Sequence, residues 1–144
     1  MVDVRLAGPE DVAAACGVLR PEDVEECQVL LGMDGRAALE AMFEASSESW
    51  VAELEGSLVC IFGVVEPGCL WLLFSNEVTW LPLAFFRKSR VVLDGLVHRY
   101  GRLGNYTAAE NGFVVKWLSW LGFTVGPPEV FKGLAIRRFY FDKG

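Results

Sequence analysis

The first residues of the chain alternate between apolar and polar positions with a period of two. Val2, Val4 and Leu6 fall on one side of residues 2–6, which predicts a β-strand. Apolar residues then recur at helical spacing, and helices are predicted at 9–20, 21–31 and 34–49. Prolines followed by acids open the first two of these helices, and Gly32 closes the second.

The pattern changes at Trp50, where long apolar runs replace the helical spacing. Strands are predicted at 50–54, 57–65 and 69–75, with turn signals at Glu55-Gly56 and Pro67-Gly68. The second and third runs are almost continuously apolar, which is typical of strands that are covered on both faces. We therefore expect a sheet with helices on each side.

The second half of the chain predicts a strand between two helices. A long helix is expected over 82–102, and its buried stripe comprises Phe85, Ser89, Leu93, Leu96, Tyr100 and Leu103. Residues 105–109 form a candidate strand, and Asn111 caps a helix that stops at Gly122. Further strands are predicted at 123–125 and, after Pro127-Pro128, at 134–141. A helix that connects two strands of one sheet in this way usually places them parallel.

Composition places the chain among globular domains. Hydrophobic residues make up 53% and charged residues 22% of its 144 residues, which excludes intrinsic disorder and suits one domain over 1–144. Its four cysteines form no closely spaced pair and His98 is the sole histidine, so we expect reduced thiols and no metal site. No signal-peptide pattern and no apolar run of membrane-spanning length is present, which predicts a cytosolic protein.

Charge is distributed unevenly between the two halves of the chain. The net charge is −6, but residues 1–77 carry 15 acids and 3 bases, whereas residues 78–144 carry 4 acids and 10 bases. Nucleic-acid binding is not expected, because the acidic half repels phosphates. The asymmetry predicts either two solvated faces or an oriented contact with a protein partner or a second copy.

Three stretches of the sequence carry a resemblance to a known superfamily. They are VRLAGPEDV near the N-terminus, the hairpin EGSLVCIFGVV, and NGFVVKWLSWLGF at 111–123. Together with the order of the elements, they resemble the GNAT superfamily of acyl-CoA N-acyltransferases. The resemblance implies an α/β (α+β) fold whose mixed, mostly antiparallel sheet has helices on both faces. It also implies a cleft between the strands at 69–75 and 105–109, filled in part by a large side chain.

Residues 71–123 resemble a narrower group within that fold, the GNAT-like or internal virion proteins of short-tailed bacteriophages. The resemblance rests on a Phe-Arg-Lys cluster, an Asn-Tyr strand and an Asn-initiated helix. Here these are formed by Phe86, Arg87, Lys88, Asn105, Tyr106 and Asn111. The resemblance implies a bacteriophage protein that lies in the host cytoplasm or associates with the virion.

The superfamily binds the pyrophosphate of acetyl-CoA with a glycine-rich loop, in which backbone N–H groups converge on the anion. The corresponding segment, SNEVTWLPLA at 75–84, has no glycine, and it contains Glu77, which repels phosphates, and Pro82, which lacks an N–H. No cofactor is therefore expected unless the chain is an enzyme, in which case it is acetyl-CoA. Trp80 in this segment either fills the groove or anchors a partner. The resemblance implies as cofactor-binding candidates Leu73, Phe74, Ser75, Arg87 and Asn111.

The resemblance also implies a tyrosine general acid seven residues after Asn111. Leu118 occupies that position and has no proton to donate. The remaining catalytic candidates are Tyr106 and Glu53, followed by Tyr100 and Glu66, and each also suits a packing or surface role. His98 follows Asp94 by four residues, which is typical of a surface contact on a helix.

Two classes of function remain open. The loss of the glycine loop and of the tyrosine favours a degenerate acetyltransferase fold that acts in virion assembly or protein–protein interaction. The predicted contact surface is then the basic face of the long helix, with Arg87, Arg90 and Arg102. The alternative is an active acetyl-CoA-dependent N-acetyltransferase with an atypical pyrophosphate loop.

Overall fold

Eight strands and five helices follow one another along the residues that the computed structural model describes, 1–76 and 81–142. The first elements are β1 (Val2–Leu6), α1 (Pro9–Cys16), α2 (Pro21–Leu31) and α3 (Gly35–Ala45). A three-stranded meander follows as β2 (Glu48–Leu54), β3 (Ser57–Val65) and β4 (Cys69–Phe74). The last elements are α4 (Leu83–Tyr100), β5 (Arg102–Ala108), α5 (Gly112–Trp120), β6 (Thr124–Val125), β7 (Glu129–Phe131) and β8 (Leu134–Asp142).

The strands join in one sheet with the order β1-β2-β3-β4-β5-β8-β6, and β7 pairs with β8. Neighbouring strands are antiparallel except β4 and β5, which are parallel. The parallel pair is the one that the helix between these strands predicts. The expected mixed, mostly antiparallel sheet is confirmed.

Helices cover both faces of the sheet, because successive strand residues point in opposite directions. On one face, α1–α3 pack on a buried cluster that includes Val51 and Leu73. On the other face, α4 and α5 pack on a larger cluster that includes Phe74, Leu96 and Leu118. Adjacent residues of β4 thus belong to different halves of the core, as the continuous apolar run predicts.

The connection between α1 and α2 differs from the prediction. The first helix ends at Cys16 rather than at residue 20, and the chain then runs along the end of β4. Leu19 forms an antiparallel bridge with Ser75, and the Asn76 N–H donates to the Val18 oxygen at 2.6 Å. The local sequence favours a helix at residues 17–20, but in the folded chain these residues form hydrogen bonds with the end of β4 instead.

The end of the long helix also differs. α4 stops at Tyr100, because Gly101 adopts a φ of 77°, a left-handed conformation that glycine tolerates. Arg102, predicted at the end of this helix, instead begins β5 opposite Asp142. The short strand β7 was not predicted, and it forms a hairpin with β8 directly after the two prolines.

Within the described residues, no helix is long and apolar enough to cross a membrane. The same part of the chain contains no group of three or more His, Cys, Asp or Glu side chains placed to hold a metal ion. All four cysteines are free thiols.

Candidate functional site

β4 and β5 separate almost as soon as they meet. Their register contains one pair, Cys69 opposite Gly104, beside a hydrogen bond from the Gly104 N–H to the Gly68 oxygen at 2.9 Å. Past this pair a cavity of about 240 Å³ opens, lined by both strands and by one side of α2. The structure thus contains the expected cleft between these strands.

On the edge of β4 that faces the cleft, the backbone N–H and C=O groups belong to alternate residues, namely Leu70, Leu72 and Phe74. The Leu70 oxygen accepts a hydrogen bond from the Asn105 amide at 3.0 Å. The Phe74 N–H donates to Asp23 Oδ2 at 2.8 Å, and the Phe74 oxygen accepts from the Arg20 N–H at 3.3 Å. Leu72 lies between them on the same edge, and the register gives it no partner in β5. The chain itself therefore occupies the end of this edge and leaves the middle open to the cleft.

Three polar side chains, Arg20, Asp23 and Asn111, form what we call the buried ion cluster. Asp23 is 1% exposed, and the Arg20 guanidinium donates to its two oxygens at 3.0 and 3.3 Å. Arg20 also donates to Asn111 Oδ1 at 3.2 Å. Burial raises the pKa of Asp23, while Arg20 and the Phe74 N–H oppose that rise. The cluster ties the start of α2 to β4 and to the start of α5.

Aromatic rings fill the space between the end of β4 and α5. The Phe74 ring meets Phe113 edge-on at 5.1 Å and Trp117 at 5.6 Å between ring centroids. The Arg20 guanidinium lies 5.2 Å from the Phe74 centroid and 5.9 Å from that of Phe113, within cation–π range. These rings pack in the core between β4 and α5, and none of them is among the residues that line the cavity.

Glu26 on α2 is a cleft residue that the sequence did not indicate. Its Oε1 accepts from the Thr107 hydroxyl at 3.0 Å and from the Ala108 N–H. Burial, with a smaller contribution from nearby Asp23, raises the pKa of Glu26 to about 7, against the lowering effect of the two hydrogen bonds and of Arg20. On sequence alone, Glu26 is one of several acids on a surface helix, and nothing marks it as the one that faces β5.

The structure brings together some of the predicted cofactor-binding residues and separates others. Phe74 and Asn111 meet at the buried ion cluster, whereas the Leu73 side chain lies on the opposite face, beneath α1–α3. Ser75 is buried, and its N–H donates to the Val59 oxygen at 2.8 Å. Arg87 is exposed on α4. The roles assigned to these residues stay predictions.

The catalytic candidates are also separated. Tyr106 lines the cavity and is 42% exposed, whereas Glu53 lies on β2 and accepts a hydrogen bond from Arg5 at 3.1 Å, away from the cleft. Tyr100 donates to Glu48 at 2.7 Å, and Glu66 is exposed in the turn before β4. Leu118 is buried in the core beneath α5. Glu77 and Trp80 lie outside the described residues.

Several cations of α4, including Arg90 of the predicted basic face, are engaged within the chain. Arg99 donates twice to Glu48, at 2.6 and 2.9 Å, and the Lys88 amine donates to the Val2 oxygen. Arg90 donates to the Trp120 oxygen at 2.6 Å and lies over the Trp120 ring. The exposed face of α4 therefore includes Arg87 and Arg90, with Trp120 of α5 beside Arg90, whereas Arg102 lies on β5.

No protein-family model matches the chain, and no curated protein matches its sequence. Solved structures do match it over nearly its whole length. The spermidine N-acetyltransferase from Vibrio cholerae, solved with CoA and spermine, aligns with a TM-score of 0.71 and 14% identity, covering 99% of this chain and 95% of that one. A GNAT-family acetyltransferase from Streptococcus pneumoniae aligns with a TM-score of 0.63 and 14% identity over 100% of both chains. An aminoglycoside acetyltransferase, solved with coenzyme A, aligns with a TM-score of 0.65 and 12% identity, covering 99% of this chain and 95% of that one.

These similarities, together with the split β4–β5 pair, show that the chain has the GNAT acetyltransferase fold. They do not support the narrower phage virion group that the sequence resembles. At such low identity the likeness concerns the fold alone, because one fold can host many functions.

Proposed function

We propose that this chain is a degenerate acetyltransferase fold that works by binding rather than by acetyl transfer. The observation that carries the proposal is the engagement of Phe74 at the cleft edge of β4, where its N–H meets Asp23 at 2.8 Å and its oxygen meets the Arg20 N–H at 3.3 Å. A ligand arm that pairs with this end of β4 must displace both contacts. Displacement leaves a buried carboxylate without one of its hydrogen bonds, which is costly.

Two further features of the chain argue against the binding of acetyl-CoA. The rings of Phe74, Phe113 and Trp117 fill the space between β4 and α5. The segment 75–84, where the superfamily has its glycine-rich loop, contains no glycine. The rings take up space beside the end of β4. The glycine-free segment works against a bound pyrophosphate, because an anion needs several backbone N–H groups that converge on it.

Calorimetric titration with acetyl-CoA, and separately with CoA, tests the proposal. We expect no binding of either compound at micromolar concentrations. A dissociation constant in the low micromolar range for either one contradicts the proposal and supports an enzyme.

One observation favours an active N-acetyltransferase as a second candidate. Glu26 lies at the cleft with a pKa raised to about 7, which suits a general base near neutral pH. In such an enzyme the Leu72 N–H, on the open part of the β4 edge, is placed to stabilise a developing oxyanion. This candidate predicts that amines stimulate release of the CoA thiol from acetyl-CoA. Glu26→Gln should then lower the rate by roughly 10²–10⁴-fold, whereas Glu25→Gln, an exposed neighbour, should leave it unchanged.

We further propose that the chain binds an acidic protein surface, or a second copy, through α4 and α5. These helices carry five lysines and arginines and one acid, Asp94. Residues 9–45, which contain α1–α3 on the opposite face of the sheet, carry nine acids and two bases. Trp120 is 45% exposed beside Arg90, and tryptophan and arginine are enriched at interface hot spots.

The double variant Arg87→Glu/Arg90→Glu tests this surface. We expect it to weaken self-association in light scattering, or partner capture in a pull-down, without unfolding the domain. Arg102→Glu is the matched control, because it makes the same type of charge change on β5 rather than on α4. Equal association of the wild type and the double variant contradicts the proposal.

A role in a phage virion is the narrowest form of the proposal, and it rests on the resemblance of residues 71–123. If head or tail genes neighbour this gene, mass spectrometry of purified virions of that phage tests the role. The protein should be present at a stoichiometric level. Its absence from the virions, or a gene with no head or tail genes beside it, contradicts the virion role and leaves the binding proposal in place.

A further inference from the structure

Helix α2 lies across the cleft and forms hydrogen bonds with both of its walls. We propose that α2 is a pH-sensitive strap: neutral Glu26 holds it against β5, and loss of the Glu26 proton to solvent releases it and opens the cavity. This inference goes beyond the proposed function, since it concerns access to the cavity and holds whether or not the chain binds a cofactor.

Two acids of α2, three residues apart, reach the two walls. Asp23 Oδ2 accepts from the Phe74 N–H of β4 at 2.8 Å. Glu26 Oε1 accepts from the Thr107 hydroxyl of β5 at 3.0 Å and from the Ala108 N–H. The spacing places both carboxyl groups on one face of the helix, the face that lines the cavity. Within the described residues, the Glu26 contacts are the only hydrogen bonds between α2 and β5.

The arrangement of donors around Glu26 matches a neutral carboxyl group. A carbonyl oxygen has two lone pairs, and Oε1 receives two donors. No hydrogen bond reaches Oε2 from any residue that the structure describes, so this oxygen is placed to carry the proton. Asp23 differs, because both of its oxygens receive the Arg20 guanidinium, a counter-charge that stabilises an ionised carboxylate.

The surroundings of Glu26 also favour its neutral form while α2 covers the cleft. Burial, with a smaller contribution from Asp23, raises the pKa of Glu26 to about 7, against the lowering effect of its hydrogen bonds and of Arg20. Ionisation near neutral pH thus leaves a desolvated negative charge beside Asp23. Movement of the carboxyl group into water relieves that cost.

The other groups that face the cavity carry no charge near neutral pH. Burial raises the pKa of Cys27 on α2 to about 12 and also raises that of Cys69 on β4, so both thiols stay protonated. Tyr106 on β5 contributes a phenol, and no lysine, arginine or histidine lines the cavity. The residues that α3, α5 and β8 contribute to the lining do not titrate, and they are Met42, Val114 and Phe139. The change of charge at the cavity near pH 7 is therefore that of Glu26.

Few buried contacts hold α2 beyond its first turn. Only Asp23 and Cys27 of its eleven residues are buried. The buried ion cluster fixes the start of the helix to β4, whereas Glu26 provides its hydrogen bonds to β5. Segments with few buried contacts open locally at a lower free energy than the core. Once the Glu26 contact is lost, the end of α2 can rotate away from β5 about its fixed start.

The direction and size of the pH effect follow from the two environments of Glu26. The pKa is about 7 when α2 covers the cleft, and it returns toward the ordinary value of 4.5 in solvent. The closed form is therefore favoured below pH 4.5, and this preference is lost as pH rises through 7. With these two pKa values, the equilibrium constant for opening rises by roughly 70-fold between pH 5 and pH 8.

The experiment is amide hydrogen exchange of the full chain, followed by NMR between pH 5 and pH 8, with protection factors corrected for the intrinsic effect of pH. We expect the protection of the Ala108 amide, which donates to Glu26, to fall by roughly 70-fold. Low concentrations of urea should leave its exchange unchanged, because a local opening exposes little surface. The amide of Ile61, buried on β3, should exchange only through global unfolding and should respond steeply to urea.

Two variants separate the charge of Glu26 from other effects of pH. Glu26→Gln keeps an uncharged acceptor at the same place, so the protection of its Ala108 amide should not change between pH 5 and pH 8. Glu25→Gln makes the same charge change on an exposed neighbour and should keep the pH dependence of the wild type.

A wild-type Ala108 amide whose protection does not fall with pH overturns the inference, and so does exchange of this amide with the same urea dependence as Ile61. Neither measurement needs a variant, so the inference stays testable if Glu26→Gln does not fold. Binding of acetyl-CoA contradicts the degenerate fold but leaves this inference intact, which keeps the two failures distinct.

Discussion

At the scale of single residues, breaking the buried ion cluster carries a large energetic cost. Asp23 is almost fully buried and meets Arg20, Asn111 and the Phe74 N–H. Removing one member of such a group leaves its partners desolvated without a counter-charge, which typically costs more than the intact contact contributes. The stability of the fold therefore depends on the same contacts by which Arg20 and Asp23 occupy the end of the β4 edge.

We predict that Asp23→Ala lowers the free energy of unfolding by about 3–5 kcal/mol, because Arg20 loses its counter-charge while it stays buried. Glu22→Ala is the matched control, since that side chain is 58% exposed and lies 4.0 Å from the same guanidinium, and its effect should stay within ~0.5 kcal/mol. Urea unfolding followed by circular dichroism measures both. A loss below ~1 kcal/mol for Asp23→Ala means that the ion pair does not lock the connection to β4.

Glu26 provides a second residue-scale prediction, with a defined sign. Its pKa is about 7 in the folded chain against an ordinary value of 4.5, so the folded state binds more protons between these pH values. Stability from this group is therefore present at low pH and is lost as pH rises toward 7. Relative to the wild type, Glu26→Gln should gain roughly 2 kcal/mol of stability between pH 5 and pH 8.

Denaturant titrations of wild type and Glu26→Gln at these two pH values measure the difference. Glu25→Gln serves as the control for a change of net charge, and it should show no such gain. A constant difference between the wild type and Glu26→Gln across this interval means that Glu26 is not desolvated at the cleft.

At the scale of elements, the cleft depends on how closely β4 and β5 approach before they part. A Cβ on Gly68 would lie 2.0 Å from the Arg102 oxygen, and its neighbours there are backbone atoms that cannot rotate away. The Gly68 oxygen also accepts the Gly104 N–H at 2.9 Å. The junction that sets the width of the cleft thus requires glycine at this position.

We predict that Gly68→Ala lowers stability by about 1–3 kcal/mol, because overpacking against fixed backbone forces the strands apart. The amide of Gly104 should lose protection in hydrogen exchange. Gly112→Ala, where no atom lies within 4 Å of the added Cβ, is the matched control and should be neutral or slightly stabilising in the first turn of α5. Unchanged protection of Gly104 in Gly68→Ala argues against this account of the junction.

At the scale of the whole molecule, charge of opposite sign lies on opposite faces of the sheet. The helices α1–α3 bring eight acids and one base to one face, and α4 and α5 bring five bases and one acid to the other. Contact between unlike faces of two copies is heterologous, and such contacts form rings or open chains rather than a closed dimer. The asymmetry of the charges therefore constrains the form that any self-association takes.

We predict that the weight-average mass of the protein rises continuously with concentration at low ionic strength. The rise should vanish at about 0.5 M salt, because the Debye length falls to a few ångströms. Sedimentation equilibrium at two salt concentrations measures both effects. A plateau at the mass of a dimer, or association that salt does not weaken, contradicts contact between the two charged faces.

Much of the architecture follows from local patterns in the sequence. The period of two at β1, the apolar runs of β3 and β4 and the helical stripe of α4 each predict an element that the structure contains. The parallel pairing of β4 and β5 also follows, because the helix between them sets their direction. The errors lie where the chain meets distant partners, as at residues 17–20, which leave the helix to run along β4.

Apart from β7, the sequence by itself determined the order of the elements, the two-sided cover of the sheet and the segregation of charge, because these depend on spacing within one segment or on composition. Only the tertiary structure decided what occupies the cleft. Arg20 and Asn111 are 91 positions apart, and Glu26 and Ala108 are 82 positions apart. No local pattern links residues at such separations, since their contact depends on where α2 lies over β4 and β5. For the same reason Arg102, on the helix by spacing, belongs to a strand once Gly101 turns the chain.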